Sequence, residues 1–444
     1  MAGPRWRRSP GVARNRMDRS PASADFDALV VGGGPAGATA ARQLALRGRR
    51  VALFEKERFP RFHVGESFLP RTMMLLRQHG LGERVRTLPQ VEKRGAQFLI
   101  GDGSAGNDYW FKTALVHETE DDTFNIERSL FDRELLNAAR EEGVEVREGA
   151  RVEGIERLAD GDVAMRVGDA LYTGRVLVDA TGLFTHLGRH FELRRVHPKL
   201  RNVAYYGHFR HVERRPGIEG GFVTIVMCDE GWFWIIPLND QITSIGLVME
   251  ERHARRTGVT PKERLHWGIR NCPVVAERCR SAQYPEQTYI TADYSHSCRP
   301  YSGPGFFLIG DAATFIDPIF STGVTLGMMT GERAAQLIDE VLDGRLTARR
   351  ARRRYQHFIR GSTRPYFRIA EAYYDHSFRE VFLQGQGPFD LHRAVVAVLA
   401  GHTFPRPVFA VRWRLALFHL LVTLQKCGLP VAPRQRRFSL LARG

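Results

Sequence analysis

The first sixty residues alternate apolar runs with small residues in a way that predicts a strand, a helix and a second strand. An apolar run covers 26–31, glycines occupy 32–34, small residues continue over 38–47, and a second apolar run covers 51–54. Short apolar runs bounded by turn residues are typical of buried strands. The pattern therefore predicts a βαβ unit at the start of the organised chain.

The pattern changes between residues 200 and 250. Runs of β-branched and aromatic residues there are separated by Gly, Pro, Asn and Asp, and they cover 203–209, 222–227, 233–236 and 242–248. Such runs predict an antiparallel sheet inserted into the α/β chain. An apolar run at 306–309 and a helical pattern over 323–342 return the chain to the α/β arrangement, and the last hundred residues are helical in pattern.

We therefore predict an α/β fold with a Rossmann-like nucleotide-binding domain, an inserted antiparallel β-sheet substrate domain and a helical C-terminal region. The predicted segments are a disordered basic extension (1–24), the first part of the nucleotide-binding domain with a substrate-side insertion (25–195), the antiparallel-sheet domain (196–290), the return of the nucleotide-binding domain (291–345) and the helical region (346–444).

Composition excludes several classes of protein. With 444 residues, of which 43% are hydrophobic and 26% charged, the chain is neither disordered nor collagen-like. Its five cysteines form no CxxC pair, which predicts neither a disulfide framework nor a metal site. We expect reduced thiols in a cytoplasmic protein. No apolar run approaches the roughly 20 residues that a membrane span requires.

The formal net charge is +16, and the basic residues are unevenly placed. Six arginines lie within 1–24, seven between 345 and 360, and four between 434 and 443. Because no nucleic-acid-binding motif accompanies these blocks, we interpret them as solvated basic surface and expect no nucleic-acid partner. A basic surface can also attract an acidic protein.

The glycine-rich turn is the first sign of chemistry. Gly32, Gly34 and Gly37 form a GxGxxG sequence between the predicted strand and helix. In such a turn the first glycine permits the bend, the second lets a pyrophosphate approach the backbone, and the third allows close helix packing. Glu55 follows the second strand, where a carboxylate accepts ribose hydroxyls. The structural alternative is a glycine-rich turn packed only against its own sheet.

Two more turns indicate which dinucleotide binds. A DATG sequence occupies 179–182 and a GDA sequence occupies 310–312, each after an apolar run. GxGxxG, DATG and GDA segments in this order resemble the FAD-dependent aromatic hydroxylase superfamily, which favours FAD over NAD. The resemblance implies FAD contacts from Ala36, Arg128, Gly182, Asp311, Pro318 and Val324, with Asp311 accepting hydrogen bonds from the ribityl chain. The structural alternatives are a turn cap for Asp179 and a surface ion pair for Arg128.

Three segments narrow the resemblance to the flavin-dependent halogenases. The sequence GWFWIIP at 231–237 matches their WxWxIP motif, 315–323 is similar to their FxxPxxSxG segment, and 59–70 is similar to the branch that acts on phenols and pyrroles. The resemblance assigns motif or tunnel positions to Trp232, Trp234, Pro237, Phe320 and Ser321. Core packing of the two tryptophans is the structural alternative, because related reductases and hydroxylases carry similar strings.

The resemblance also implies a reaction and a catalytic lysine. In these enzymes FADH2 and oxygen convert chloride or bromide to a hypohalous acid, which must reach an arene held apart from the flavin. Lys93 stands where the family's KxGxxF lysine falls, and it would either orient this acid by hydrogen bonding or capture it as a chloramine. The backbone N–H groups of Thr322 and Gly323 would bind the halide. The structural alternative for Lys93 is an exposed strand lysine.

Phe320 departs from the free-tryptophan branch, which places a glutamate immediately before the S-T-G triplet. We therefore expect an electron-rich phenol or pyrrole, either free or bound to a carrier protein. A separate flavin reductase would supply FADH2, because the sequence holds no second nucleotide motif. The alternatives are an FAD-dependent monooxygenase that uses NAD(P)H, a geranylgeranyl-reductase-like flavoprotein, and a basic nucleic-acid or membrane-surface protein that retains FAD.

Overall fold

The computed structural model describes residues 24–116, 121–292, 294–385, 387–402 and 406–442, so the extension predicted for 1–24 lies, except for its last residue, outside the described residues. In chain order the strands are β1 Phe26–Val31, β2 Val51–Glu55, β3 Val91–Lys93, β4 Gly95–Ile100, β5 Gly106–Trp110, β6 Thr123–Asn125, β7 Glu145–Glu148, β8 Val152–Ala159, β9 Asp162–Val167, β10 Ala170–Asp179, β11 Arg194–Val196, β12 Asn202–Arg210, β13 Val223–Cys228, β14 Gly231–Pro237, β15 Ile242–Glu250, β16 Tyr289–Ala292, β17 His296–Cys298, β18 Ser302–Gly303, β19 Phe306–Leu308 and β20 Thr314–Phe315. The helices are α1 Pro35–Ala45, α2 Pro70–Gln78, α3 Gly82–Arg86, α4 Arg128–Glu141, α5 His186–His190, α6 Glu251–Ala254, α7 Arg264–Asn271, α8 Pro273–Arg278, α9 Gly323–Leu342, α10 Ala348–Tyr373, α11 His376–Phe382, α12 Leu391–Leu399 and α13 Phe409–Lys426.

The predicted βαβ opening forms the centre of a parallel sheet. Strand β1 pairs in parallel with β10 on one side and β2 on the other, β19 continues beyond β10, and β7 continues beyond β2. The side chains of Ala28, Leu29 and Val30 have no exposed surface. Burial on both faces is typical of a parallel sheet covered by helices, and it explains why the β1 run is continuously apolar.

A second sheet of seven strands has the order β16-β12-β15-β14-β13-β4-β5. Its centre is antiparallel, as predicted from the 200–250 region, but β4 pairs with β13 in parallel. The β4–β5 hairpin comes from the first segment of the chain, so the pattern within 200–250 could not reveal it. Strand β16 ends at Ala292, and the segment boundaries given above remain predictions.

Small residues bring α1 and α9 unusually close together. A Cβ atom on Gly331 would lie 2.5 Å from the carbonyl oxygen of Ala36, and one on Gly310 would lie 2.8 Å from the Cβ of Ala36. The predicted helix over 323–342 is confirmed with these bounds. Its first turn therefore lies beside the glycine-rich turn that begins α1.

The C-terminal helices pack over the second sheet, which confirms the predicted helical region. The Phe382 ring contacts Phe98 of β4 with ring centroids 4.8 Å apart, and the Tyr109 hydroxyl of β5 donates to the Phe382 carbonyl. Further along, the Leu440 N–H donates to the Glu230 carboxylate at 2.9 Å. Within the described ranges, no helix combines the length and apolar character needed to traverse a bilayer.

Candidate active site

The glycine-rich turn contains two kinds of glycine. Gly32 has φ +105°, and a Cβ there would lie 2.3 Å from the carbonyl oxygen of Ala180, while a Cβ on Gly37 would lie 1.9 Å from the carbonyl oxygen of Gly32. A Cβ on Gly34 would meet only the end of the Arg61 side chain, at 3.6 Å. The fold itself requires Gly32 and Gly37, whereas the space at Gly34 suits a ligand.

Glu55 is buried at the end of β2, with its carboxylate fixed by backbone groups. One oxygen accepts the N–H of Gly33 at 2.7 Å, and the other accepts the N–H of Glu57 at 2.9 Å. A carboxylate oxygen can accept more than one hydrogen bond, so both oxygens retain acceptor capacity. These bonds fix the orientation of the Glu55 carboxylate, and its ribose role remains a prediction.

Arg128 begins α4 and forms a buried ion pair rather than a surface one. Its Nε lies 2.7 Å from Asp132 Oδ1, its Nη2 lies 2.9 Å from Oδ2, and its Nη1 donates to the Val64 carbonyl at 3.1 Å. Burial favours loss of the proton, but the charge and hydrogen bond of Asp132, together with the charges of Asp311 and Glu66, outweigh it and raise the pKa of Arg128. The guanidinium thus ties α4 to the segment that precedes α2.

The two further turns differ in what their aspartates do. Asp179 accepts hydrogen bonds from Thr181 and from the Leu187 N–H, so its interpretation as a turn cap is confirmed. Gly182 has φ +62° and open space where a Cβ would lie. In the part of the chain that the structure describes, the Asp311 carboxylate has no hydrogen-bond donor; burial raises its pKa to about 7, and the Arg128 charge opposes this shift. The open glycines and this carboxylate fit FAD.

Lys93 is buried at the end of β3, so the exposed-lysine alternative is wrong. Its Nζ donates to Ser67 Oγ at 2.9 Å and to the Phe68 carbonyl at 3.0 Å, and it lies 5.2 Å from the centre of the Phe111 ring. The side chain is 3% exposed, and this burial lowers its pKa to about 7. Both the amine and the ammonium form are therefore accessible near neutral pH.

The two motif tryptophans are core residues with fixed hydrogen bonds. Trp234 Nε1 donates to Ser244 Oγ at 3.1 Å within the sheet, and Trp232 Nε1 donates to the Tyr374 hydroxyl at 3.0 Å. Pro237 ends β14. Neither indole contacts Lys93 in the described residues, so the core-packing interpretation describes their position.

A buried network joins the second sheet, α10 and the turn before α9. Asp317 Oδ2 accepts hydrogen bonds from the Tyr374 hydroxyl at 2.9 Å and from Asn202 Nδ2 at 3.1 Å, while Oδ1 accepts the Ile319 N–H at 3.1 Å. Burial raises the pKa of Asp317 to about 6 despite these donors. Through Tyr374 the network extends to Trp232, so the WxWxIP strand and the 315–323 segment are physically connected.

The turn before α9 leaves backbone donors free. Pro318–Phe320 form a 3₁₀ turn, Ser321 adopts φ +53°, and α9 begins at Gly323. The N–H groups of Thr322 and Gly323 have no acceptor among the residues that the structure describes. Asp311 Oδ1 lies 3.9 Å from the position of a Cβ on Gly323, so this turn adjoins the predicted FAD site. Val324 is buried in the same turn of helix.

Phe320 and Lys93 are held by different parts of the chain, α10 and the segment before α2, respectively. The Phe320 ring packs against Tyr373 of α10 with centroids 6.2 Å apart, and no contact joins it to Lys93 in the described ranges. Thr72 of α2 and Thr325 of α9 share a buried hydroxyl hydrogen bond of 2.7 Å. Because α2 follows directly after the residues that hold Lys93, this bond couples the lysine segment to the start of α9.

Sequence reasoning assigned no role to a buried acid–histidine pair. Glu66 Oε1 lies 2.5 Å from His208 Nε2, and Glu66 Oε2 is buried without a partner in the described structure. Burial alone would lower the pKa of His208, but the Glu66 hydrogen bond and charge raise it. Glu66 stood in the 59–70 segment, whereas His208, Asn202 and Tyr374 carried no local signal, because only the tertiary fold brings them to the site.

Together the parallel sheet, its glycine-rich turn and the attached second sheet define an FAD-dependent oxidoreductase. The tryptophan halogenase family matches residues 113–381, and the FAD binding domain family matches 25–174. A 1H-pyrrole-2-carbonyl-[peptidyl-carrier protein] chlorinase of Pseudomonas fluorescens is 30% identical over 79% of this chain and 84% of its own. A tryptophan 2-halogenase of Chondromyces crocatus is 33% identical over 79% of this chain and 68% of its own. The chain belongs to the flavin-dependent halogenase family.

Solved structures agree with this assignment. A flavoprotein/dehydrogenase from Cytophaga hutchinsonii superposes with a TM-score of 0.82 at 28% identity and covers 91% of this chain and 99% of its own. A flavin-dependent brominase superposes with a TM-score of 0.78 at 26% identity and covers 91% of this chain and 99% of its own. The halogenase relatives favour halogenation of an aromatic compound over the monooxygenase alternative.

The two kinds of glycine predict separable effects of substitution. Gly34→Val should leave the melting temperature of the FAD-free protein almost unchanged, because the site is open and the backbone is extended, but should weaken FAD binding at least tenfold by blocking the pyrophosphate. Gly37→Ala should lower the melting temperature, because its Cβ would overlap the Gly32 carbonyl. Calorimetry and FAD titration check both, and unchanged FAD affinity in Gly34→Val would contradict the assigned cradle.

Proposed function

We propose that this halogenase uses Lys93 to pass an electrophilic halogen to an electron-rich arene. The observation that carries the proposal is the burial of an amine that, within the described structure, donates only to Ser67 and Phe68 and that has a pKa of about 7. An amine kept from water at this pKa can act as a nucleophile at neutral pH without a separate base.

FAD, when bound in its reduced form, supplies with oxygen the oxidising equivalent that turns chloride or bromide into a hypohalous acid. The turn at 32–37 would bind the pyrophosphate, Glu55 the ribose and Asp311 the ribityl chain, with Ala36, Gly182, Pro318 and Val324 lining the cofactor. Arg128 holds the neighbouring loop in place. A separate flavin reductase would supply the electrons, because the second GxGxxG string, at 101–106, forms the turn between β4 and β5 and does not begin a helix.

The turn before α9 would bind the halide. The N–H groups of Thr322 and Gly323 lie at the positive end of a 20-residue helix, where the helix dipole favours an anion. Ser321 in its left-handed conformation directs the chain into this helix start. Burial holds the nearby Asp311 with a pKa of about 7, which reduces its negative charge near the halide at neutral pH.

The proposed step at Lys93 balances without a further reactant. The Nζ lone pair attacks the chlorine of hypochlorous acid, the N–Cl bond forms as the O–Cl bond breaks, and hydroxide leaves and takes the proton released by the nitrogen as water. The arene carbon then takes chlorine from the chloramine, and its ring proton returns to the amine. In the free amine the two N–H groups donate to the Phe68 carbonyl and the Ser67 hydroxyl, and the chloramine retains one N–H that can donate to either of them.

The arene is proposed to be a phenol or pyrrole, free or carrier-bound, rather than free tryptophan. At 320 the chain places a buried phenylalanine against Tyr373, where the tryptophan branch has a carboxylate. Two similar proteins are described as a chlorinase and a brominase of 1H-pyrrole-2-carbonyl-[peptidyl-carrier protein], and the second, from Pseudoalteromonas luteoviolacea, is 31% identical over 72% of this chain. An electron-rich ring needs less activation by a neighbouring carboxylate.

We place this reaction in the cytoplasm. All five cysteines are free, and four of them are buried. A reducing compartment preserves such thiols, and it is also where a flavin reductase and a carrier protein would be available.

Replacing Lys93 should separate halogenation from flavin oxidation. Lys93→Met removes the amine but keeps the chain length, so halogenated product should fall at least a hundredfold while oxygen continues to oxidise FADH2. The melting temperature should not fall, because a buried unpaired charge is removed. Lys112→Met, an exposed lysine in the same region, is the matched control and should halogenate normally. Product measured by mass spectrometry in Lys93→Met at the wild-type rate would remove the role of Lys93.

The pH dependence of halogenation should report the Lys93 amine. Its pKa of about 7 means that the ammonium form dominates below pH 7 and the neutral amine above it. If the neutral amine attacks, single-turnover halogenation should rise from pH 6 to pH 8 and level off, while FADH2 oxidation does not follow the same curve. A rate that falls through pH 7 would instead assign a hydrogen-bonding ammonium.

A substrate panel should separate the branches. With FADH2, oxygen and bromide, phenols and pyrrole-2-carbonyl thioesters should be brominated at least tenfold faster than free tryptophan, because Phe320 supplies no carboxylate beside the arene. Mass spectrometry of each product gives the comparison. Efficient turnover of tryptophan with no accepted phenol or pyrrole would contradict the proposed substrate class and leave the family assignment intact.

A further inference from the structure

A groove of about 670 Å³ lies between α10 and α13, far along the chain from the GxGxxG turn. It is strongly basic: its lining includes Arg360, Arg364, Arg368, Arg406 and Arg412. The lining contains neither aspartate nor glutamate, and within the described ranges none of the five guanidinium groups pairs with a carboxylate. The groove therefore concentrates positive charge that the protein itself does not neutralise.

Two histidines, His357 and His419, lie among these arginines. Arg406 Nη2 lies 2.5 Å from His357 Nε2, so its partner is an imidazole nitrogen rather than a carboxylate. The pKa of His419 is lowered, first by burial and then by the Arg368 charge. Both histidines line the groove, and the lowered pKa of His419 favours its neutral form there.

The basic residues nearer the start of α10 behave differently. Arg345 pairs with Asp339 at 2.7 Å, Arg352 with Asp160 at 2.6 Å, and Arg354 with Glu340 at 3.3 Å. These ion pairs join the start of α10 and the residues before it to α9 and to the turn between β8 and β9. Within the described ranges Arg349, Arg350 and Arg353 form no ion pair either, so unpaired charge is not confined to the groove. The groove differs because five unpaired arginines line one concave surface there.

Apolar groups accompany the arginines. Phe409 is 76% exposed at the rim, and Trp413, Ile369 and Leu415 line the groove. Arginine and aromatic residues together are enriched at the energetic centres of protein interfaces. The exposed Phe409 therefore favours a docking groove over a basic surface that contacts only water.

Helix α10 connects the groove to the active site. Its last residue, Tyr373, contacts Phe320, and the Tyr374 hydroxyl directly after the helix donates to Asp317. Arg368 precedes Tyr374 by six residues, which is about 9 Å along a helix. A partner seated in the groove would thus lie beside the site and could reach it with a flexible arm.

We propose that the groove between α10 and α13 docks the acidic carrier protein that presents the arene on its phosphopantetheine arm. This inference rests on the proposed carrier-bound substrate. Guanidinium groups pair with the carboxylates of an acidic helix and with the phosphate of the arm in two-point hydrogen bonds. The concave shape favours a protein segment over a flat membrane surface, and the chain carries no nucleic-acid-binding motif.

The test reverses three positive charges inside the groove and, separately, three outside it. The groove variant combines Arg364→Glu, Arg368→Glu and Arg412→Glu, whose side chains are exposed. The matched control combines Arg349→Glu, Arg350→Glu and Arg353→Glu, which are exposed on α10 outside the groove and change the net charge equally. The probes are a peptidyl carrier protein loaded with pyrrole-2-carbonyl and the same acyl group on free pantetheine.

The groove variant should raise KM for the loaded carrier protein by roughly tenfold to a hundredfold at low salt, and by less at high salt. Its kcat and KM for the pantetheine thioester should equal those of the wild type, and the control variant should behave as the wild type with both probes. Equal loss in the control variant, or an unchanged KM in the groove variant, would overturn the groove assignment.

Binding measured without turnover separates this proposal from the proposed function. Fluorescence anisotropy of a labelled carrier protein should show a weakened Kd only in the groove variant. Groove-dependent carrier binding without halogenation of any probe would support docking and contradict the proposed reaction. Halogenation of the pantetheine thioester without carrier binding would do the reverse. Groove-dependent binding of phosphatidylserine vesicles or duplex DNA, with no carrier binding, would also overturn the docking proposal.

Discussion

The close approach of two backbones at Ala36 is the contact on which the rest of the site depends. Gly310, Gly327 and Gly331 all face this residue, and at Gly331 any side chain would come within 2.5 Å of its carbonyl oxygen. Interiors are packed too densely to absorb such overlap, so α1 and α9 keep their spacing only while these positions stay small. One helix begins at the predicted pyrophosphate site and the other at the predicted halide site. Their spacing therefore fixes the distance between the two.

Lys93, in contrast to these close-packed glycines, lowers the stability of the fold, because burial disfavours its charged form. A shift of its pKa from 10.5 to about 7 corresponds to a cost of about 5 kcal/mol for the charged form. Because the unfolded chain binds the proton more tightly, this cost is fully present below pH 7 and disappears above pH 10.5. No carboxylate in the described residues compensates for it. Lys93 thus lowers stability, yet Ser67 and Phe68 hold its nitrogen in a defined orientation. A reactive amine requires this combination of a shifted pKa and a fixed position.

How far the sequence predicts this structure depends on how local each signal is. The βαβ opening, the 323–342 helix and the turn glycines follow from neighbouring residues, and the structure matches them. The parallel pairing of β4 with β13 joins segments more than a hundred residues apart, so no local pattern predicted it. The network of Asp317, Tyr374 and Asn202 also arises only after α10 packs against the second sheet.

The sequence also does not predict which arginines form ion pairs, and this pairing bears on function. Arginines are abundant along 345–368, yet Arg352 and Arg354 are paired to carboxylates while Arg364 and Arg368 are not paired within the described structure. Sequence can count these charges, but only the fold decides which of them a carboxylate neutralises. The unpaired ones lie a short stretch of helix from Tyr374 and its hydrogen-bond network. If the groove docks the carrier protein, the rigid helix α10 would set the distance between the docked carrier and the active site, and thus the position that the tethered arene can reach. Recognition of the carrier and its tether would then leave little need for polar recognition of the ring itself.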